Sequence, residues 1–534
     1  MTATVSKRWP ASLTTGRSRF RPAGGGVLVR GLIAALAVAP TAAYLWVAVH
    51  RIGYPFELDW MEGGSVELAA RVLAGHSLYT APSLAFVGWT YTPLYYWLAA
   101  AVAKLAGLGF YSLRLVSLVA SLVAMATLAG IVVRETGERI GGLVAAGLFA
   151  ATFQISGAWF DTGRGDSLFV ALILLAVAWG RFARGARGGI ALGLLVFLAY
   201  FTKQTALVAL APVLGYLVLT RRRVGIAAVA TLVCLVLGST VVLDALTNGW
   251  YRYYVFSELA SQAWASQVWI QFWTRDILEH EWPLLILVLA SAIALILRSG
   301  PRSALRAPGV YHVAAAAGLL GAAWLSRLHT GGYANVLMPA YAATALLAGL
   351  ACARLLADGR RRVAAPLVVA TLLAQLGLLA YPLGAQIPTA ADRAAGAQLL
   401  AALRALPGKV VVLRHPWYAT VAGKGSFAQG EGIGDVLRSA APRGRRVLAA
   451  SLSHALDADH VQAVVLDGAF DAHVLGLALE REFRLAPGPI TPTRLYPLTD
   501  VRTAPTLLYV RVRSPRPGAE RDSQRRAARP AVRL

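Results

Sequence analysis

Carboxylates are scarce in this chain, 26 Asp and Glu against 51 Lys and Arg, so the places where they gather stand out. Residues 57–63 read Glu57-Leu58-Asp59-Trp60-Met61-Glu62-Gly63, with Glu67 and Arg71 close behind. Residues 159–167 carry Asp161, Arg164 and Asp166. A third stretch, 201–205, supplies Lys203 and Gln204, and a fourth, 329–335, supplies His329, Tyr333 and Asn335. A positioned carboxylate takes a proton from an attacking hydroxyl. Cationic and hydrogen-bonding groups hold a phosphate as it departs. Asp59 and Glu62 lead the candidates, because they are dense on one loop of an acid-poor protein.

Each feature also has a plainer role. Acidic residues on a loop often serve as solvated surface or as counter-charges. Asp161, Arg164 and Asp166 suit a local ion-pair cluster, with Asp166 as a helix N-cap. Lys203 suits a lysine that snorkels to lipid headgroups, and His329 and Asn335 suit caps or packing between helices. The aromatic stretch 89–97, with Tyr91 and Tyr95, is first of all an interfacial belt.

The elements that must position these residues are membrane helices. The chain is 57% hydrophobic and only 14% charged, too few charges for a soluble protein of 534 residues. Apolar runs near the length of a bilayer span recur at 32–49, 113–133, 140–158, 168–180, 206–219, 224–243, 284–297, 313–325, 336–356 and 363–381. The net charge of +25 does not point to nucleic acid. Arg and Lys cluster beside the apolar runs, at 7–30, 181–187, 221–223, 298–306 and 360–362, in the positive-inside pattern. Cys234 and Cys352 both sit inside apolar runs and can build neither a disulfide framework nor a metal site.

With residues 1–30 as a cytoplasmic basic tail and 32–49 as an uncleaved first helix, the basic clusters place 51–92, 160–166, 201–205, 247–280 and 327–335 outside. One stretch, 93–107, would invert every later loop if it crossed fully, so a partial or re-entrant helix is expected there. The expected fold is an all-α polytopic membrane protein with about 11 to 12 crossings over 31–384. A small extracytoplasmic α/β domain follows over 385–512, with strands at 410–413, 461–466 and 507–512 and helical character at 390–403 and 435–440. Residues 513–534 form a basic tail expected to be disordered. No internal repeat supports an inverted-repeat transporter. The glycine-rich run 423–434 lacks the Gly-Lys-Ser/Thr ending of a phosphate loop. His280-Glu281 starts a zinc-protease-like string, but Leu284 stands where the second histidine belongs.

The order of motifs resembles that of bacterial relatives of the protein O-mannosyltransferase and aminoarabinose transferase group, glycosyltransferases of the GT-C fold. Residues 57–63 are similar to the family's acidic loop and Thr92-Pro93-Leu94-Tyr95-Tyr96-Trp97 to its Pro-Pro-Leu-Tyr-Tyr-Trp helix start. Ala74-Gly75-His76-Ser77-Leu78-Tyr79 resembles the bridge between them. Leu113-Arg114-Leu115-Val116-Ser117, residues 160–167 and residues 201–205 resemble the next three motifs, so the likeness covers roughly 30–350. The acidic motif departs from the family's adjacent Asp-Glu, since Trp60-Met61 separates Asp59 from Glu62.

The resemblance implies an inverting transferase in a bacterial inner membrane, with its site on the extracytoplasmic face. The donor would be a polyprenyl-phosphate sugar, the acceptor an envelope glycan, lipid or protein, and a divalent metal is required only in some members. Asp59 would be the base, with Glu62 as its substitute. Lys203 and Arg164 would hold the phosphate, and Asp161 and Asp166 would shape the sugar or acceptor site. His329, Tyr333 and Asn335 would meet the lipid head, and Glu57, Tyr91, Tyr95 and Gln204 would complete the substrate contacts. The C-terminal domain would cover the site or bind acceptor. The rival readings are a transporter or lipid flippase and an inactive glycolipid-binding scaffold. The transferase reading requires Asp59, Asp161 and Lys203 to converge on one cavity.

Overall fold

The computed structural model describes residues 24–299, 308–357, 361–468, 471, 474–475 and 477–512. The expected tails lie outside the described residues over 1–23 and 513–534, as do parts of the basic clusters at 298–306 and 360–362. Helix α1 runs Gly24–Arg51, so residues 24–30 of the expected tail are helical.

Each apolar run forms a helix, because a backbone in lipid must satisfy its own hydrogen bonds. In chain order they are α2 (Glu62–Leu73), α3 (Leu94–Ala106), α4 (Phe110–Thr136), α5 (Arg139–Ala151), α6 (Asp166–Phe182), α7 (Gly185–Tyr200), α8 (Ala206–Thr220) and α9 (Arg222–Leu246). Two short turns follow, α10 (Trp250–Arg252) and α11 (Val268–Gln271), each leading into a widened π-type stretch. Then come α12 (Glu279–Ser299), α13 (Pro308–Arg327), α14 (Met338–Ala357) and α15 (Arg361–Leu378). Five helical spans among the described residues are long and apolar enough to cross a membrane: Val27–Arg51, Phe110–Thr136, Arg222–Leu246, Gly309–Arg327 and Ala334–Ala357. A sixth candidate is bent by 54° between Ala364–Leu378 and Leu383–Ala405. Helices α3, α5, α7 and α8 are apolar but shorter. The expected partial helix at 93–107 is thus a 13-residue helix, α3.

The most apolar stretch of Ala334–Ala357 is 94% buried, whereas that of Arg222–Leu246 is 11% buried. Helix α14 is therefore the centre of the bundle and α9 turns its side chains to lipid. Small residues let the central helices touch. A Cβ on Gly147 of α5 would lie 1.8 Å from the Ala37 carbonyl of α1, and one on Gly349 of α14 would lie 2.6 Å from Ala145 of α5. Without a hydrophobic force between helices in lipid, such close packing is a main source of association.

Residues 51–92 are more structured than a loop, since they contain α2. Beyond the bundle, α16 (Ala390–Ala405) starts at a Thr389/Asp392 capping box. The C-terminal sheet has the order β1-β2-β4-β3, with β1 (Lys409–Val412) parallel to β2 (Val461–Leu466) and β4 (Leu507–Arg511) antiparallel to both β2 and β3 (Phe483–Pro489). Helices α17 (Pro416–Val421), α18 (Gly430–Arg438) and α19 (Pro442–Ala458) connect β1 to β2. Strand β3 escapes a sequence reading because Pro487 and Pro489 flank Gly488, and its register slips there. This C-terminal unit shares one hydrophobic core with residues 54–113 and with Trp250, Tyr251, Tyr253, Tyr254 and Val255. It is joined to the first loop rather than tethered to it.

Candidate active site

The end of the bundle formed by Arg51, the starts of α4 and α6 and the α7–α8 turn gathers the acidic residues. Two of them are fully engaged in bracing. Arg51 is wholly buried at the end of α1; its Nε donates to Asp161 Oδ2 at 2.8 Å and its Nη2 to Asp161 Oδ1 and to the Ala158 carbonyl. Arg114 of α4 donates to Glu62 through Nε (2.9 Å) and Nη2 (2.6 Å), and to the carbonyls of Tyr54 and Phe56 (both 2.6 Å). Glu62 also accepts from the amides of Leu58 (2.7 Å) and Gly163 (2.6 Å). Burial alone would push the Glu62 carboxyl up, but Arg114 and these donors hold it below its ordinary range.

Asp59 is held differently. It is 0% exposed. Its Oδ2 accepts from the Met61 amide at 3.2 Å and lies 3.8 Å from Arg164 Nη1, beyond a hydrogen bond. Among the described residues, Asp59 Oδ1 and Arg164 Nη1 have no hydrogen-bond partner. Burial pushes the Asp59 carboxyl well above its usual value, with Arg164 opposing. Arg164 lies against three aromatic faces, 4.9 Å from the Trp159 ring, 5.2 Å from Trp89 and 6.0 Å from Tyr91.

Arg164 opens onto a cavity of about 300 Å³ that is also lined by Met61, Trp89, Tyr91, Trp159, Lys203, Gln204, His329, Tyr333 and Asn335. Lys203 Nζ donates to Asp166 Oδ1 at 2.8 Å and Asn335 Nδ2 donates to the same oxygen at 3.0 Å, while Asn335 Oδ1 has no hydrogen-bond partner among the described residues. Gln204 Nε2 donates to the Val255 carbonyl at 3.0 Å, and the His329 ring packs 4.7 Å from Trp264. Asp59 and Asp166 stand behind this lining, through Arg164 and Lys203. Tyr95 donates to the Leu113 carbonyl at 3.1 Å and reaches only a small side crevice that it shares with Tyr91, Arg164, Asp166 and Lys203. Of the three side chains expected to converge, Lys203 lines the cavity and Asp59 lies behind its wall, 3.8 Å from Arg164 Nη1. Asp161 does not reach it, because Arg51 occupies both its oxygens.

Glu57 is also kept from the cavity. Its Oε1 accepts from the Gly63 amide at 3.0 Å and its Oε2 meets His415 Nδ1. The other nitrogen of His415 lies 2.9 Å from Asp467 Oδ2. Burial works against charge on His415, but Asp467 and Glu57 outweigh it and push the imidazolium up to about 10. Burial likewise raises Glu57 to about 6 despite His415. Thr499 hydrogen-bonds the Leu58 carbonyl through its amide (2.9 Å) and hydroxyl (2.6 Å) and brings Asp500 close enough to raise Asp59 further. The sequence offered no sign of His415, Asp500 or the lining residues Glu431 and Asp435, since the residues they approach, such as Glu57, Asp59, Arg164 and Lys203, lie hundreds of positions away. Trp89 was visible only as a belt aromatic, and Trp159 only as the start of the stretch 159–167. Among the described residues no group of three His, Cys, Asp or Glu side chains is placed to hold a metal ion.

Residues 90–243 match the family described as dolichyl-phosphate-mannose-protein mannosyltransferase. None of the curated proteins matches this chain in sequence. Among solved structures, ArnT from Cupriavidus metallidurans in the apo state superposes with a TM-score of 0.58 at 16% identity, over 89% of this chain and 97% of that one. The same protein bound to undecaprenyl phosphate gives 0.56 at 14% identity, over 92% and 99%. The archaeal oligosaccharyltransferase AglB from Archaeoglobus fulgidus, in complex with an inhibitory peptide and a dolichol-phosphate, gives 0.52 at 12% identity, over 92% and 75%. The chain therefore has the GT-C fold, in the form shared with ArnT and, at greater distance, with AglB.

Proposed function

We propose that this protein is a glycosyltransferase that moves a sugar from a polyprenyl-phosphate donor to a hydroxyl-bearing acceptor with inversion. It would act on the extracytoplasmic face of a bacterial inner membrane. The observation that carries this reading is the pairing at the cavity edge: a buried, under-bonded carboxylate, Asp59, beside a guanidinium, Arg164, with an unpaired nitrogen. The match over residues 90–243 and the likeness to a structure holding undecaprenyl phosphate support the same reading.

The donor phosphate binds Arg164 and Lys203, the two cations of the lining. As Arg164 turns to the phosphate it leaves Asp59, which then faces the acceptor. The acceptor oxygen attacks the anomeric carbon, its proton passes to the Asp59 carboxylate, and the bond from that carbon to the phosphate oxygen breaks. Arg164 and Lys203 neutralise the charge that gathers on the leaving phosphate. Asp166 and Asn335 fix the Lys203 ammonium, while Tyr91 and Trp89 flank Arg164. Glu62 and Asp161 hold the two loops in place and take no proton.

The test is Asp59→Asn in purified protein supplied with undecaprenyl-phosphate sugars. Transfer is lost while undecaprenyl phosphate still binds. Unchanged transfer removes Asp59 from the base role.

A further inference from the structure

One wall of the cavity has no part in the chemistry above. Helix α18, from the C-terminal unit, places Glu431 and Asp435 in the same lining as Arg164 and Lys203. Four residues apart, they share a helix face. Gln429 fixes the start of this helix by accepting from the Glu431 and Gly432 amides, at 2.8 and 3.3 Å. At Gly432 the helix lies so close to Trp89 that a Cβ would stand 3.3 Å from the indole.

Both carboxylates keep spare hydrogen-bonding capacity. Arg438 donates to Glu431 Oε1 at 2.6 Å and to Asp435 Oδ1 at 2.9 Å, but Arg414 stays 3.7 Å from Glu431 Oε2. Burial, and the charge of Glu431 beside it, push Asp435 up to about 7, where it can accept or donate. Elsewhere in the lining, Arg164 Nη1, Trp159 Nε1 and Asn335 Oδ1 are buried without hydrogen-bond partners among the described residues. Those residues are 4%, 1% and 4% exposed, and each borders the cavity, where a ligand's polar groups can satisfy them. The cavity, about 300 Å³, is at the small end of ligand sites. A phosphate held at Arg164 therefore leaves room beside it, toward Glu431 and Asp435, for the group it carries.

We propose that Glu431 and Asp435 bind the hydroxyl groups of the donor's sugar and so select it, while Arg164 and Lys203 hold the phosphate common to all such donors. The inference rests on the donor reading given above. It assigns sugar choice to the C-terminal unit and phosphate binding to the membrane bundle. Hydrogen bonds from hydroxyls to a carboxylate are stronger and more directional than those to a neutral amide. Converting both acids to amides removes that advantage with little change of shape.

The experiment measures binding of undecaprenyl phosphate and of a panel of undecaprenyl-phosphate monosaccharides to the full chain in lipid nanodiscs. In the unmodified protein at least one glycosylated lipid binds more tightly than undecaprenyl phosphate. Glu431→Gln with Asp435→Asn removes about tenfold of that gain and leaves undecaprenyl phosphate binding unchanged. Glu431→Gln alone, whose partner Arg438 is half exposed, gives a smaller loss of the same kind and guards against misfolding of the double variant. Arg164→Ala weakens all the lipids alike. The proposal is overturned if no sugar adds affinity, if the gain survives in the double variant, or if every lipid loses the same factor, which marks a brace. Failure of the unmodified protein to bind undecaprenyl phosphate has a separate signature: the donor reading falls, and this inference with it.

Discussion

Glu62 and Asp59 stand three residues apart on one loop, both wholly buried, yet they are in opposite condition. Glu62 accepts two bonds from Arg114 and two from backbone amides. Asp59 accepts one amide, and its nearest cation is 3.8 Å away. Desolvation penalises both anions, but only Glu62 receives full compensation, which is why the two carboxyls shift in opposite directions. The contrast separates a group that holds the fold from one left poised for a proton. Arg51–Asp161 repeats the first condition. Lys203–Asp166 lies between them, because it is paired but lines the cavity.

The largest effect that sharpens this comparison is on rate. Asp59→Asn lowers kcat by about 10²–10⁴-fold, the range for a lost general base, with the thermal midpoint little changed. A stability loss without a rate loss would place Asp59 with Glu62. Arg114→Ala gives the opposite pattern. It strands Glu62 without its partner and destabilises the protein by about 3–5 kcal/mol, read as a lower unfolding midpoint in detergent.

The third expectation concerns pH. Because Asp59 is raised and must be ionised to accept a proton, the rate climbs with pH as the carboxyl ionises, and the limb is absent in the residual activity of Asp59→Asn. The same limb in Asp59→Asn would assign it to another group, Asp500 first, which burial raises to about 6.

His415 tests a brace between distant regions. Its folded value, about 10, lies above the ordinary 6.5. The stabilisation is therefore complete below about 6.5 and fades as pH rises through about 10. Thermal midpoints across that window fall in the unmodified protein and fall less in His415→Asn. The smallest effect is expected at Glu67, whose carboxylate accepts from the hydroxyls of Thr420 and Ser426. Glu67→Gln costs about 1 kcal/mol or less and leaves transfer intact.

The sequence carried the fold far. Each apolar run became a helix because lipid leaves the backbone no alternative, and short apolar runs such as 461–466 became buried strands for an equally local reason. It located the acidic loops and Lys203 as well. It could not rank the carboxylates inside them, because rank depends on partners such as Arg114, 52 positions from Glu62. The glycine-rich run 423–434 lacks the ending of a phosphate loop, yet its end starts α18 and lines the cavity through Glu431 and Gly432.

Composition and periodicity thus determined a many-helix membrane protein with an α/β appendage and an acid-rich end, since these follow from each segment's own contest between water and lipid. Only the tertiary structure decided which acids are fully bonded, that Asp161 is closed off behind Arg51, and that the C-terminal unit reaches into the cavity. Hydrogen-bond satisfaction and desolvation are set by neighbours in space, and no stretch of chain contains that information by itself.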